Sequence, residues 1–169
     1  MSGIINSVGS KSGIIGSNVY PAGHVIQTDS VNATGYTSSN LTTWVVQTDI
    51  TLTFTPLFAS SNILLSTCFN ANKATSGYAF FDFYKNASDV TENYNLSGAP
   101  YPADGSHGVA LMSSDDWCSI SYEWLDPVAE NSTSEKTYKI SFKSSNTDSA
   151  TLGWGDASFM ILTAMEIAT

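Results

Sequence analysis

The chain reads as an all-β domain, a sandwich or a jelly roll, and three observations predict it. Apolar and polar residues alternate at period two in one run after another, with Gly, Pro, Asn and Ser clusters between the runs. No stretch carries a helical period of any length. The last run, 157–169, is apolar on both faces: Phe159, Ile161, Thr163, Met165 and Ile167 on one, Met160, Leu162 and Ala164 on the other. A strand of that kind is buried on both sides. The cover on one side is the domain's own core. The cover on the other is a second sheet or another subunit.

Taken in order, Tyr20-Pro21-Ala22-Gly23 is a turn and the domain starts after it. Gly23 to Val31 reads as a strand, and Asn32 to Asn40 as a polar loop. Trp44 to Phe54 is a strand, with Ile50, Leu52 and Phe54 alternating against threonines until Pro56 ends it. Ala59 to Asn62 is a turn, and Ile63 to Phe69 is a strand apolar on both faces. Tyr78 to Tyr84 is dense in aromatics. Asn86 to Asp104 reads as a long loop around Gly98-Ala-Pro-Tyr-Pro102. Val109 to Met112 is a short strand. In Trp117 to Trp124, Cys118, Ile120, Tyr122 and Trp124 share one face. Tyr138, Ile140 and Phe142 alternate with Lys139, Ser141 and Lys143, which gives that strand a wet face. Gly153 to Asp156 turns into the final strand. The total is roughly eight strands, the number expected of a sandwich or jelly roll. Two doubly apolar strands and an aromatic cluster exceed what one core needs, and subunit association accounts for the surplus.

Residues 1–20 differ from the rest. Ser2-Gly3-Ile4-Ile5-Asn6-Ser7 recurs as Ser12-Gly13-Ile14-Ile15-Gly16-Ser17. This segment holds too little apolar surface to fold alone and too much for a plain linker. Two readings stand: a floppy N-terminus, or a docking peptide that buries Ile4, Ile5, Ile14 and Ile15 in a partner.

Composition narrows the function. The 169 residues suit one domain, 21–169, behind that 1–20 segment. Only 12% of residues are charged, about half the usual share, so Ser, Thr, Asn and Gly must cover the surface. The net charge is −9, all six basic residues are lysines, and there is no arginine. That balance excludes nucleic-acid binding, which needs clustered cations, and docking on anionic lipid. Cys68 and Cys118 are too few for a disulfide framework and read as small buried hydrophobes, with one bridge open to them if their strands are neighbours. The N-terminus lacks the basic and apolar regions of a secretory signal, and no run approaches the roughly 18 apolar residues of a membrane span. The expected site of synthesis is a cytosol, with release by a route such as lysis.

No constellation for chemistry is visible. His24 and His107 have no metal-ligand spacing and no nucleophile elbow accompanies them. Asp115-Asp116 and Asp104 read as turn acids rather than Ca²⁺ ligands. Asp82, Glu123 and the Asp115-Asp116 run offer carboxylates for a glycosidase pair, with no spacing in its favour. The expectation is a non-enzymatic protein with no cofactor and no metal.

Several short stretches carry a resemblance: Gly23-His-Val-Ile-Gln27; Ile50-Thr-Leu-Thr-Phe-Thr-Pro56 followed by Ser60-Ser-Asn-Ile-Leu64; Ile120-Ser-Tyr-Glu-Trp-Leu-Asp-Pro127; Lys136-Thr-Tyr-Lys-Ile140; Ile161-Leu-Thr-Ala-Met-Glu-Ile167; and the opening Met1-Ser-Gly-Ile-Ile-Asn-Ser7. In their order and spacing they resemble the jelly-roll fibre, knob and decoration proteins of marine and cyanobacterial bacteriophage virions, of the C1q/TNF-like kind. The resemblance implies a non-enzymatic homotrimer around a threefold axis, with the C-terminal strand's sheet facing the axis. The trimer-interface residues expected on that basis are Tyr122, Trp124, Phe159, Ile161 and Met165. The expected role is a trimeric knob on the virion surface, decorating the capsid and held to capsid or tail proteins by residues 1–20. The alternative is a tail-fibre tip that binds a host receptor or surface glycan, and behind it a free lectin-like module.

Overall fold

A computed structural model describes residues 20–87, 94–95, 109–112, 117–126, 132–153 and 159–169. Among these there is no helix. Eleven strands form two antiparallel sheets: β1 (Val25–Thr34), β2 (Thr37–Ser39), β3 (Val45–Phe54), β4 (Asn62–Lys73), β5 (Tyr78–Ala87), β6 (Tyr94–Asn95), β7 (Val109–Met112), β8 (Cys118–Asp126), β9 (Lys136–Ser144), β10 (Ala150–Leu152) and β11 (Phe159–Ile167).

The eleven collapse onto eight positions. β11 and β10 lie one after the other along the same edge of β4, against Asn62–Cys68 and Ala71–Lys73, while β8 takes the other edge. β1 and β2 follow one another along β11 and β10 in the same way. The first sheet is therefore β1/β2, β10/β11, β4, β8. The second is β3, β9, β5, with β6 and β7 sharing the far edge of β5. Renumbered one to eight in chain order, the sheets read 1-8-3-6 and 2-7-4-5. Neighbours in sequence alternate between sheets except the fourth and fifth, which pair as a hairpin in the second sheet, and the last position sits beside the first. That is the jelly-roll path.

The core lies between the two inner faces, where alternate residues of each strand meet. Phe69, Phe81, Phe83, Ile140, Phe142 and Leu162 are all at most 2% exposed. Phe81 stands between the rings of Phe69 and Phe142, at centroid distances of 5.1 and 6.3 Å. Phe83 stacks on Tyr122 at 5.1 Å.

Three segments differ from the sequence expectation. The stretch 32–40, read as a loop, continues β1 to Thr34 and adds β2. The stretch 86–104 begins inside β5 and includes the two-residue β6; the remainder of it lies outside the described residues. β10 was not anticipated at all. Each missed piece is two or three residues long and pairs with a neighbour that holds it in register, a tertiary effect that local pattern does not carry.

Both long interrupted strands break at the same level, and a glycine contact explains why. Gly153 has φ +82° and Gly35 φ +123°, and a Cβ on Gly153 would overlap the Gly35 carbonyl oxygen. The Gly153 amide also donates to the Asn70 carbonyl at 2.7 Å. Backbone meets backbone here, and only glycine permits it. Gly153→Ala is therefore expected to lose about 3 kcal/mol of stability in urea denaturation, from strain and overlap together. Gly23→Ala, at φ +83° but with open space around it, should lose only about 1 kcal/mol. Equal losses would contradict the close-approach explanation.

Candidate functional site

The outer face of the first sheet is the surface most unlike the rest. Opposed residues in an antiparallel ladder share a face, so the registers give its rows directly. One row reads Asn32, Ile161, Cys68, Ser121. The next reads Ser30, Thr163, Ser66, Glu123, and the third Thr28, Met165, Leu64, Leu125. Phe159 stands beyond them opposite Thr34. Within these rows Glu123 is the one charged side chain. Phe159 is 67% exposed, Leu125 47% and Ile161 40%. Apolar side chains in a sheet face with a single charge, left open to solvent, mark a contact surface.

This geometry divides the five expected interface residues. Phe159, Ile161 and Met165 lie on the outer face. Tyr122 and Trp124 pair with Thr67 and Leu65 and point the other way, half-buried against the core. The five do not form one surface. The alternation in 117–124 showed that Tyr122 and Trp124 share a face and left open which face it was. Leu64 and Leu125, which complete the outer row, were not singled out. Ile4, Ile5, Ile14 and Ile15 lie outside the described residues.

The cysteines are free, although their strands are neighbours. Cys68 opposes Ser121 and Cys118 opposes Ala71. They are three residues apart along the ladder and on opposite faces, which no disulfide spans. Burial pushes the Cys118 thiol up.

Charge is sorted unevenly. Of the five lysines among the described residues, Lys73, Lys85 and Lys136 are fully buried. The Lys73 ammonium donates to the carbonyls of Ala74 and Asp148, each at 3.1 Å. The Lys85 ammonium lies 3.0 Å from Asp126 Oδ2. Lys139 and Lys143 remain, both directed outward from β9 on the second sheet. The Lys143 ammonium sits over the rings of Trp44 and Phe80, 5.0 and 5.4 Å from their centroids. Asp29, Asp49, Glu123 and Glu135 are exposed. The surface is thus poorer in cations than the composition suggests.

Glu166 organises the end of the sandwich next to this face. It is fully buried. Its carboxylate accepts from the amides of Leu57 and Phe58 at 3.0 and 2.9 Å, from the Ser61 hydroxyl at 2.5 Å and from Gln27 Nε2 at 2.7 Å. One side chain of β11 thereby fixes the β3–β4 loop and β1 together. Beside it a cavity of about 170 Å³ is lined by Tyr20, Ile26, Phe58, Ser60, Ser61, Ala168 and Thr169.

For chemistry the arrangement offers little. Among the described residues no three of His, Cys, Asp and Glu gather in a way that holds a metal. Asp82 faces outward from β5 on the second sheet, and Glu123 outward from β8 on the first. The whole sandwich separates them, so they form no glycosidase pair. His107, Asp104, Asp115 and Asp116 lie outside the described residues.

No family model matches the chain, and no curated protein matches it. Among solved structures it is similar to that of infectious bursal disease virus, Gt strain, at 11% identity and TM-score 0.49, over 98% of this chain and 43% of that one. The T=1 particles derived from the same virus give 10% identity and TM-score 0.47, over 98% and 41%. Bacillus endospore appendages, described as disulfide-linked pili, give 10% and 0.36, over 92% and 100%. The chain spans less than half the length of the viral chains. Likenesses this distant do not bear on function.

Two outcomes test the site's construction. Glu166→Ala leaves the Leu57 and Phe58 amides without their acceptor and the Ser61 hydroxyl with only the Phe58 carbonyl, and should cost about 3 kcal/mol in chemical denaturation; Glu166→Gln, which keeps the shape, should cost less. The Tyr122 phenol, mainly through burial and then through the Asp82 charge, is pushed up to about 12. A raised folded value means that its contribution to stability is complete below the ordinary value near 10 and is lost as pH climbs from there to about 12. Tyr122→Phe should flatten the fall in stability across that window.

Proposed function

We propose that this chain is a non-enzymatic bacteriophage virion protein, a homotrimeric jelly-roll knob that decorates the capsid. The observation that carries the assembly is the outer face of the first sheet, where Met165, Leu64, Leu125, Ile161 and Phe159 lie in rows with a single charge. Three copies that turn this face toward a common axis remove it from water. Tyr122 and Trp124 then belong to the core of each subunit and not to the interface. The virion placement is supported by the sequence resemblance and by an acidic, cation-poor exterior that keeps neighbouring knobs apart. Residues 1–20 act as the anchor: three copies of Ile4-Ile5 and Ile14-Ile15 on one trimer give avidity on capsid or tail proteins.

A second reading, a tail-fibre tip that binds a host glycan or receptor, draws on a separate observation. Tyr78, 44% exposed, lies 6.0 Å from Phe80, next to Trp44 and Lys143 on the opposite sheet. That cluster remains accessible when the first sheet is covered.

Light scattering on the purified chain is expected to give three times the chain mass. A Met165→Glu substitution places an unpaired charge in each interface at about 3 kcal/mol, and should weaken association at least a hundredfold while circular dichroism stays that of the wild type. Cys68, in the middle of the face, should react with iodoacetamide slowly in the wild type and quickly in the variant. A monomeric wild type with a fast Cys68 would end the trimer reading. Copy number per particle, by quantitative mass spectrometry, separates the roles: a simple fraction of the shell subunits for a decoration, a few copies for a fibre tip, none if the protein is not part of a virion.

A further inference from the structure

The geometry points to a covalent modification inside the sandwich: an amide bond between the Lys85 side chain and the Asp126 carboxyl, formed by the chain itself. Lys85 belongs to β5 in the second sheet. Asp126 ends β8 in the first. Strand alternation turns both inward, since Phe81 and Phe83 precede Lys85 on the core face and Trp124 precedes Asp126. The two side chains meet across the gap between the sheets, with Nζ 3.0 Å from Oδ2 and side-chain exposures of 0% and 4%. The Tyr138 hydroxyl donates to the same Oδ2 at 2.9 Å. Leu52 and Ile63, opposite Tyr138 and Asp126 in register, close the surroundings with apolar groups no more than 3% exposed.

An ion pair in such a place brings little stability, because the cost of taking both charges out of water offsets their attraction. The same setting suits condensation. One proton passing along the contact, from the ammonium to the carboxylate, leaves a neutral amine and a neutral carboxylic acid, the forms that react. The lone pair of Nζ then forms a bond to the Asp126 carbonyl carbon. The Tyr138 hydroxyl, which donates to Oδ2, is placed to help this protonated oxygen depart. The bond from the carbon to Oδ2 breaks with its electron pair, and Oδ2 leaves as water with the proton it gained and one from nitrogen, while the other carboxyl oxygen stays as the amide carbonyl. The products are a neutral amide and one water, and no oxidant, reductant or co-reactant takes part. Groups held this close react as if at concentrations on the order of 10⁵ M or more, and the absence of bulk water disfavours the reverse step. The product is a cross-link between the two sheets, made without cysteine.

Intact-mass spectrometry of the purified full-length chain tests this, after allowance for loss of Met1. The expected mass lies below that of the sequence by one water. Tandem spectra of a digest are expected to show a branched peptide that joins the segments bearing Lys85 and Asp126. Asp126→Asn supplies a second check: its leaving group is ammonia, so the variant should converge on the wild-type product mass from a different starting mass. Lys85→Arg should remain at its sequence mass. A wild type at full sequence mass, or a lost water that maps to another segment, overturns the proposal. The wild-type measurement decides it even if neither variant folds, and its outcome is independent of the role on the virion.

Discussion

β11 must be held between β1 and β4, and the rest of the structure follows from that requirement. Its inward residues Met160, Leu162 and Ala164 are fully buried, and they fill the middle of the gap that Phe69, Phe81 and Phe142 close from the other strands. The same pleat sends Phe159, Ile161 and Met165 outward. A strand with both neighbours present has no free hydrogen-bonding edge, so whatever its outer residues do, they do through side chains. The core and the apolar outer residues are two consequences of one alternating sequence, and a shift of one residue in register would exchange them.

Much of this was legible beforehand. The long strands carry their period openly, and the two-faced character of 159–167 marked the outer face before its neighbours were known. The orientation of β8 was not legible. Cys118, Ile120, Tyr122 and Trp124 form one face in either orientation, and only pairing with Leu65 and Thr67 decides that it faces the core. The buried lysines were equally hidden. Lys85 continues the inward series of Phe81 and Phe83, and Lys136 that of Tyr138 and Ile140, so the pattern already points them inward; their charge argues the other way. Burial wins where a carboxylate or a carbonyl waits at the end of the side chain.

Glu166 belongs to the same class. By position it is an inward residue at the end of β11, by charge a surface residue, and it became neither core nor surface. It serves as the acceptor for the loop that closes that end. The loop's own residues, Leu57 to Ser61, gave no sign of needing a carboxylate; two adjacent amides aimed into a protein interior require one acceptor, and β11 provides it. Tyr20, whose ring meets Phe58 edge-on at 5.7 Å, lies at this same end, beside Ala168 and Thr169.

The unequal placement of lysines has a practical side. Amine-directed reagents act on accessible ammonium groups, and within the described residues these are Lys139 and Lys143, both on the second sheet. A fluorophore or cargo joined through them would stand on the face turned away from Met165 and Ile161. Within the described residues, the side on which such a label stands is a by-product of where this sandwich hides its positive charge.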